Sequence, residues 1–259
     1  MHNRTQWLPY VVLPSIIVVG IIAACLTLAQ ALVRVKSDSE MIRVTGSARK
    51  PIRSDFIIWT GSVSRRAPDI ASAYNGVTTD LDKVKAYLLK KGVKETEIIL
   101  SAISTTTLYE KQKRTAGYSD SEAVGENSAT FQKIEGYQLS GEVEVRSTDV
   151  GLVDQLSRQV SELISSGIAL ESKSPQYLYT KLSNLKVTML AEAAKDARVR
   201  AEQIAASSGC RIGDVRFARM GILQITPIYS TAVSGEGIND TSSLDKDITA
   251  IVTMGYAIR

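Results

Sequence analysis

The chain has 259 residues, of which 44% are hydrophobic and 22% charged, and a formal net charge of +4. That is enough for one large folded domain or two small ones, and too weak a basic bias to imply nucleic acid. Its one histidine is His2, ahead of the first apolar run, so the remainder of the chain can build neither a Ser-His-Asp or Cys-His nucleophilic site nor a Cys/His zinc site.

Residues 7–33, WLPYVVLPSIIVVGIIAACLTLAQALV, contain no charge. The run is long enough to cross a bilayer as a helix, with Trp7 and Tyr10 at one interface. A cleaved signal peptide would have a shorter apolar core, so the length of the run, closed by Arg34 and Lys36, favours an uncleaved anchor. Ile22-Ala23-Ala24-Cys25 loosely resembles a lipoprotein cleavage box, but the apolar run continues past Cys25. Orientation is not set by charge, because Arg4 lies on one side and Arg34 and Lys36 on the other; large domains translocate largely regardless of such charges. Cys25 falls in the apolar run and Cys210 far beyond it, so no internal disulfide is expected. The expected organisation is a short tail (1–6), an anchor (7–33), a linker (34–40) and a domain (41–259).

In the domain, residues 41–47 alternate as a strand and Lys50-Pro51 marks a turn. Residues 55–64 form a second strand, apolar on both sides, with Ile57, Trp59 and Val63 on one face. Pro68 and Asp69 suit a helix start. Ile70, Ala73, Val77, Leu81, Val84 and Leu88 then follow a helical stripe, which Gly92 ends. Residues 97–109, rich in Ile and Thr, predict a strand. Residues 110–133 are a polar loop or hairpin tip, long enough to be functional. Residues 135–146 alternate as a half-wet antiparallel strand.

Thr148 is the expected N-cap of a helix carrying Val150, Val153, Leu156, Val160, Leu163 and Ile164, and Gly167 stops it. A short strand, 168–173, leads to the longest helical pattern, 182–210. Its Met189, Ala193, Ala197, Ala201 and Ala205 recur at helix spacing, Gly209 is placed to stop it, and a face of Ala predicts close contact with a sheet. Residues 215–229 form a strand kinked at Gly221, 230–246 a second polar loop, and 248–258 the last strand. The fold class is therefore α+β, an antiparallel sheet with amphipathic helices packed on it, preceded by one transmembrane helix.

Neither a phosphate-cradling glycine loop nor a dinucleotide fingerprint occurs. Glu236, Asn239, Asp240, Asp245 and Asp247 crowd one loop and offer oxygens to a hard cation, but their spacing matches no calcium loop and favours a solvated loop. Glu142 and Glu144 share a strand face and offer a carboxylate couple, though a wet sheet face accounts for them more simply. Lys195, Arg198, Arg200 and Arg211 offer an anion site, but helices carry such charges routinely. No catalytic, cofactor or metal residue is assigned, no cofactor is expected, and the chain is not expected to be an enzyme.

The segment Ile42-Arg43-Val44-Thr45-Gly46-Ser47, the Gly136-Tyr137 strand start and Ala193-Ala194-Lys195-Asp196-Ala197-Arg198-Val199-Arg200-Ala201-Glu202-Gln203-Ile204-Ala205 resemble the SIMPL-domain family. Gly209, Ile212-Gly213-Asp214-Val215 and the strand 248–258 extend the likeness. Members of that family include a bacterial periplasmic immunogenic protein. The resemblance implies an exported α+β domain without established enzymatic activity, and assembly into ring-like or channel-like oligomers in some members. The expected place is the bacterial inner membrane, single-pass, with the C-terminal domain in the periplasm. A homo-oligomer fits a single sheet with helices on one side, which leaves Ile57, Trp59 and Val63, or Ile251 with Thr249 and Thr253, to be covered by another subunit. The expected function is that of a scaffold or envelope stress factor. The alternative is a membrane-anchored module that binds a ligand or protein partner through loops 110–133 and 230–246.

Overall fold

A computed structural model describes residues 21–29, 41–110 and 133–259 of the chain. Residues 21–29 form helix α1, and every residue in it is exposed. The rest of the expected anchor, 7–33, lies outside the described residues. Among the described residues no helix is long and apolar enough to cross a membrane.

After α1 come β1 (Met41–Arg53), β2 (Phe56–Ala67), α2 (Ile70–Lys90), β3 (Ile98–Leu100), β4 (Ser104–Tyr109) and β5 (Ile134–Ser147). They are followed by α3 (Val150–Gln159), a 3-10 turn (Val160–Ser166), β6 (Leu170–Ser172), β7 (Gln176–Leu178), α4 (Leu182–Ser207), β8 (Ile212–Met220), β9 (Gln224–Pro227) and β10 (Asp245–Ile258). The class is α+β with antiparallel strands, but the strands form two sheets rather than one. In the first, β10 is central, with β1 on one side and β8 and β9 on the other. In the second, β2 and β5 are central, flanked by β6 and β7 next to β2 and by β3 and β4 next to β5.

The second sheet is covered by α2 and α3. Asp69 caps α2 by accepting from the Ser72 N–H at 2.8 Å. Asp149, one residue later than expected, caps α3 through the Leu152 N–H at 3.0 Å. Ile57, Trp59 and Val63 are fully buried in this core with Val77, Val84, Leu88, Val153 and Leu156. Their burial overturns the expectation that these three face another subunit. The side of β2 away from the helices instead carries Phe56, Ile58, Thr60 and Ser62. A strand apolar on both sides does not reveal which side its helices cover.

The first sheet is covered by α4. Met189, Ala193, Ala197, Ala201 and Ala205 are buried against Ile248, Ala250, Val44 and Tyr256. Gly209, at φ 73°, ends the helix, with the Cys210 N–H reaching back to the Ala205 carbonyl at 2.9 Å. Its opposite face carries Thr249, Ile251 and Thr253, half-buried as the alternation predicts.

No turn occurs at Lys50-Pro51, because β1 runs straight through it. The Ser47 N–H points away from β10, to Asp196 Oδ2 at 2.8 Å. Residues two apart share that direction, so the donor that Pro51 lacks would face the free edge of the sheet and no ladder bond is lost.

Candidate functional site

The acidic residues of the second polar loop do not converge. Asp247 pairs with Arg49 at 2.6 Å and Asp245 lies 3.8 Å from Arg53, both across the β1–β10 ladder. Asp240 turns inward and accepts from the Ser242 N–H at 2.9 Å and from the Ser242 hydroxyl. Glu142 and Glu144 do share the open face of the second sheet. They do not form a carboxylate couple, because Lys173 holds Glu142 and Arg146 holds Glu144. On α4, Arg198 is engaged by Glu202 at 2.9 Å and Arg200 by Asp196 at 2.8 Å. Among the described residues there is no cluster of three or more metal-ligating side chains.

The segment 228–244 between β9 and β10, which holds most of the loop 230–246 expected to be solvated, is strapped to both sheets. The Ile225 N–H donates to the Ile238 carbonyl at 2.7 Å and the Asp240 N–H to Ile225 at 3.0 Å. The Tyr177 N–H reaches Thr241 at 2.8 Å, and the Ser54 N–H reaches Leu244 at 2.9 Å. Lys246 anchors the joint from below. Its fully buried ammonium donates to the Tyr177 carbonyl at 2.7 Å and to the Asp240 carbonyl. Burial pulls its pKa below that of an ordinary lysine, while the Asp240 charge opposes this shift. Burial pushes the Asp240 carboxyl up, but the Ser242 hydrogen bonds and the Lys246 charge outweigh it and hold the carboxyl low.

This strap presents apolar side chains outward. Tyr229 is 91% exposed at φ 65°, the only positive φ outside glycine among the described residues, and Val233 is 76% exposed. On the same side of the first sheet, Val215, Met220 and Ile222 are exposed along β8 and the segment after it, Val215 level with Tyr256 and Met220 with Val252, towards the other end of β10 from Pro227 and Tyr229. The cause is geometric, since α4 lies over β1 and β10 and barely reaches β8. Sequence reasoning placed residues 215–229 in a strand and the loop in water, and so missed this edge. The one legible signal was the apolar trio Pro227-Ile228-Tyr229 directly before a polar loop.

Two open clefts flank the start of α2. One, of 410 Å³, is lined by Ile70, Tyr74, Ile103, Thr105 and Leu139. The other, of 700 Å³, is lined by Arg66, Leu108, Tyr109, Glu110, Glu135 and Gly136. It lies at the stem of loop 110–133, where the Glu110 N–H meets the Lys133 carbonyl at 2.9 Å. Residues 111–132 of that loop lie outside the described residues.

Comparison with family models returns SIMPL, described as a protein of unknown function (DUF541), over residues 42–252. The chain belongs to the SIMPL family. No curated protein matches it. The SIMPL match spans both sheets, beginning one residue into β1 and ending within β10.

Proposed function

We propose that this SIMPL-family chain is a membrane-anchored, non-enzymatic scaffold or envelope stress factor. Its domain faces the bacterial periplasm from the inner membrane and self-assembles into a ring-like or channel-like homo-oligomer. The observation that carries this reading is the set of exposed apolar side chains spread along the β8–β9 side of the first sheet, Val215, Met220, Ile222, Tyr229 and Val233. Soluble monomers rarely leave large apolar surface in water. A head-to-tail contact through one such edge closes a ring when the rotation between neighbours permits. The anchor is supported by the charge-free run 7–33 and by α1, apolar and exposed all round, as lipid rather than water would favour.

The deciding experiment is the mass of the detergent-extracted full chain by light scattering. A large complex is expected, and Met220→Ser with Tyr229→Ser should shift it towards monomer. A wild-type monomer at tens of micromolar removes the oligomer. The second reading would then lead, a binding module that uses loops 110–133 and 230–246. That reading is favoured by the 700 Å³ cleft at the stem of loop 110–133 and by the strained, outward Tyr229.

A further inference from the structure

The open face of the first sheet is unevenly charged. Residues of β1, β10 and β8 stand in rows across it: Arg43, Gly255 and Phe217, then Thr45, Thr253 and Arg219. Gly255 puts no side chain in the middle of the first row. A Cβ there would lie 2.9 Å from Met41 Sδ and 3.4 Å from Phe217 Cβ. Across this gap the Arg43 guanidinium lies 5.2 Å from the centre of the Phe217 ring. In the second row the Thr45 and Thr253 hydroxyls meet at 3.2 Å.

Carboxylates elsewhere on the face are already engaged: Asp247 by Arg49, Asp245 by Arg53 and Asp214 by Arg259. Neither Arg43 nor Arg219 meets a carboxylate among the described residues. Two uncompensated guanidinium groups therefore stand on this face beside Thr45 and Thr253, one of them over the Phe217 ring. Exposed guanidinium groups without a carboxylate partner suit phosphate oxygens, which they bind in bidentate fashion.

We propose that this face lies against the phosphate layer of an anionic bilayer, with Arg43 and Arg219 as its contacts. The proposal rests on the anchored reading above. Residues 34–40, the seven between the apolar run and Met41, reach at most about 25 Å when extended. Arg43 is the third residue of the strand that the linker enters, so the tether holds the face within reach of the headgroups. Tethering raises the effective concentration, and contacts too weak to hold a free protein then suffice.

The test uses the full chain with Cys25→Ser, Cys210→Ser and Thr253→Cys, spin-labelled at residue 253 and reconstituted in vesicles doped with a nickel-chelating lipid. In phosphatidylglycerol vesicles the nickel should strongly relax the label. The effect should disappear with Arg43→Gln and Arg219→Gln together, in phosphatidylcholine, and at a control label on Val199→Cys, which is exposed on the outer side of α4. Equal relaxation in both lipids overturns the proposal. So does strong label-to-label coupling at residue 253, which would mean that a second copy covers the face. If alkaline carbonate strips the chain from the vesicles, the anchor fails, and binding of the whole chain to preformed vesicles still reads the face. Binding should then require phosphatidylglycerol and weaken about fivefold for each arginine removed. Absence of binding overturns the proposal.

Discussion

The backbone of α4 lies directly on Gly46. A Cβ at Gly46 would come within 2.7 Å of Ala197 Cα, and closer still to the Ala197 nitrogen and the Ala193 carbonyl oxygen. Glycine on the strand and alanine on the helix are two halves of one contact. Its position was legible in the alanine stripe, and only its partner on the strand was not.

Enlarging either side should therefore force strain. Ala197 is fully buried, so Ala197→Leu should destabilise the chain by about 1–3 kcal/mol. Gly46→Ala should also destabilise, because its clash is with backbone. Arg200→Ala removes only an exposed pair with Asp196, worth about 0.2–0.5 kcal/mol. Thermal melts of the three variants check the order, and equal tolerance at positions 197 and 200 would contradict it.

A second prediction concerns a buried acid that periodicity alone did not reveal. Asp80 lies on the inner side of α2, only 2% exposed, where Arg65 of β2 pairs with it and donates to the Gly167 carbonyl at 2.8 Å. Arg65 lies along α2 beside Gly76, where an added Cβ would sit 3.2 Å from Arg65 Cγ. Arg65→Met removes the main partner of a buried carboxylate, with Lys83 still 3.7 Å away. The expected loss is about 1.5–3 kcal/mol by denaturant unfolding. Asp80→Asn, which keeps an acceptor for Arg65, should lose less.

Trp59 supplies a third. Its indole N–H donates to the Ser172 hydroxyl at 2.9 Å, and that hydroxyl donates to the Ser157 carbonyl at 2.6 Å, joining β2, β6 and α3. Ser172→Ala leaves a buried donor unpaired and should cost about 1–3 kcal/mol. Near-ultraviolet circular dichroism of Trp59 should change as well, and an unchanged signal with unchanged stability would argue against the link.

What the sequence hid is of one kind. Helix stripes and their glycine stops are local, and α2, the α3 stripe with Gly167, and α4 stand close to where the spacing placed them. Which face of β2 is covered, and that the strands divide between two sheets, depends on pairing between distant segments. Local pattern does not carry that information. Pro51 misled for a related reason, because a proline marks a turn only where its missing donor would have been used. The strap 228–244 looked solvated since its hydrogen bonds are mostly made by backbone groups, to which composition is blind.

Stability should depend on pH in a defined direction. Hydrogen bonding from the Ser47 N–H, with help from Arg200, lowers the Asp196 pKa, and the hydrogen bond from Arg158, with Tyr177, lowers that of Asp154. Depressed carboxylates stabilise the fold above their unfolded pKa of about 3.9, and that stability is lost as pH falls through the folded value. Burial, reinforced by acidic partners, pushes Tyr87 and Tyr177 up to about 12. A phenol raised in the fold contributes stability that is complete below about pH 10 and is lost as pH rises through the folded value. Melting temperature against pH should thus fall at both ends. Asp196→Asn should flatten the acid side, and Tyr177→Phe the alkaline side; an unaltered acid limb in Asp196→Asn would show that this carboxylate is not involved.

The last prediction is that residues 7–33 are retained. An α-helix rises 1.5 Å per residue, so a bilayer core of about 30 Å needs about 20 apolar residues, and the charge-free run exceeds this. A signal peptide has a shorter apolar core, about 7–15 residues, followed by a small-residue cleavage site. Here the small residues Ala23, Ala24, Ala29 and Ala31 all lie inside the charge-free run, and Cys25 is followed by Leu26, Leu28 and Leu32. Residues 21–29 are helical through that stretch, with Ile21, Ile22, Leu26 and Leu28 all exposed. A peptidase would have to cut within or beyond this helix. Intact-mass measurement on membrane-extracted protein should therefore find a chain that begins at or near Met1. A mature species beginning near Val35 would mean that the run is an export signal, and the domain would then be free of the membrane unless its own surface binds there.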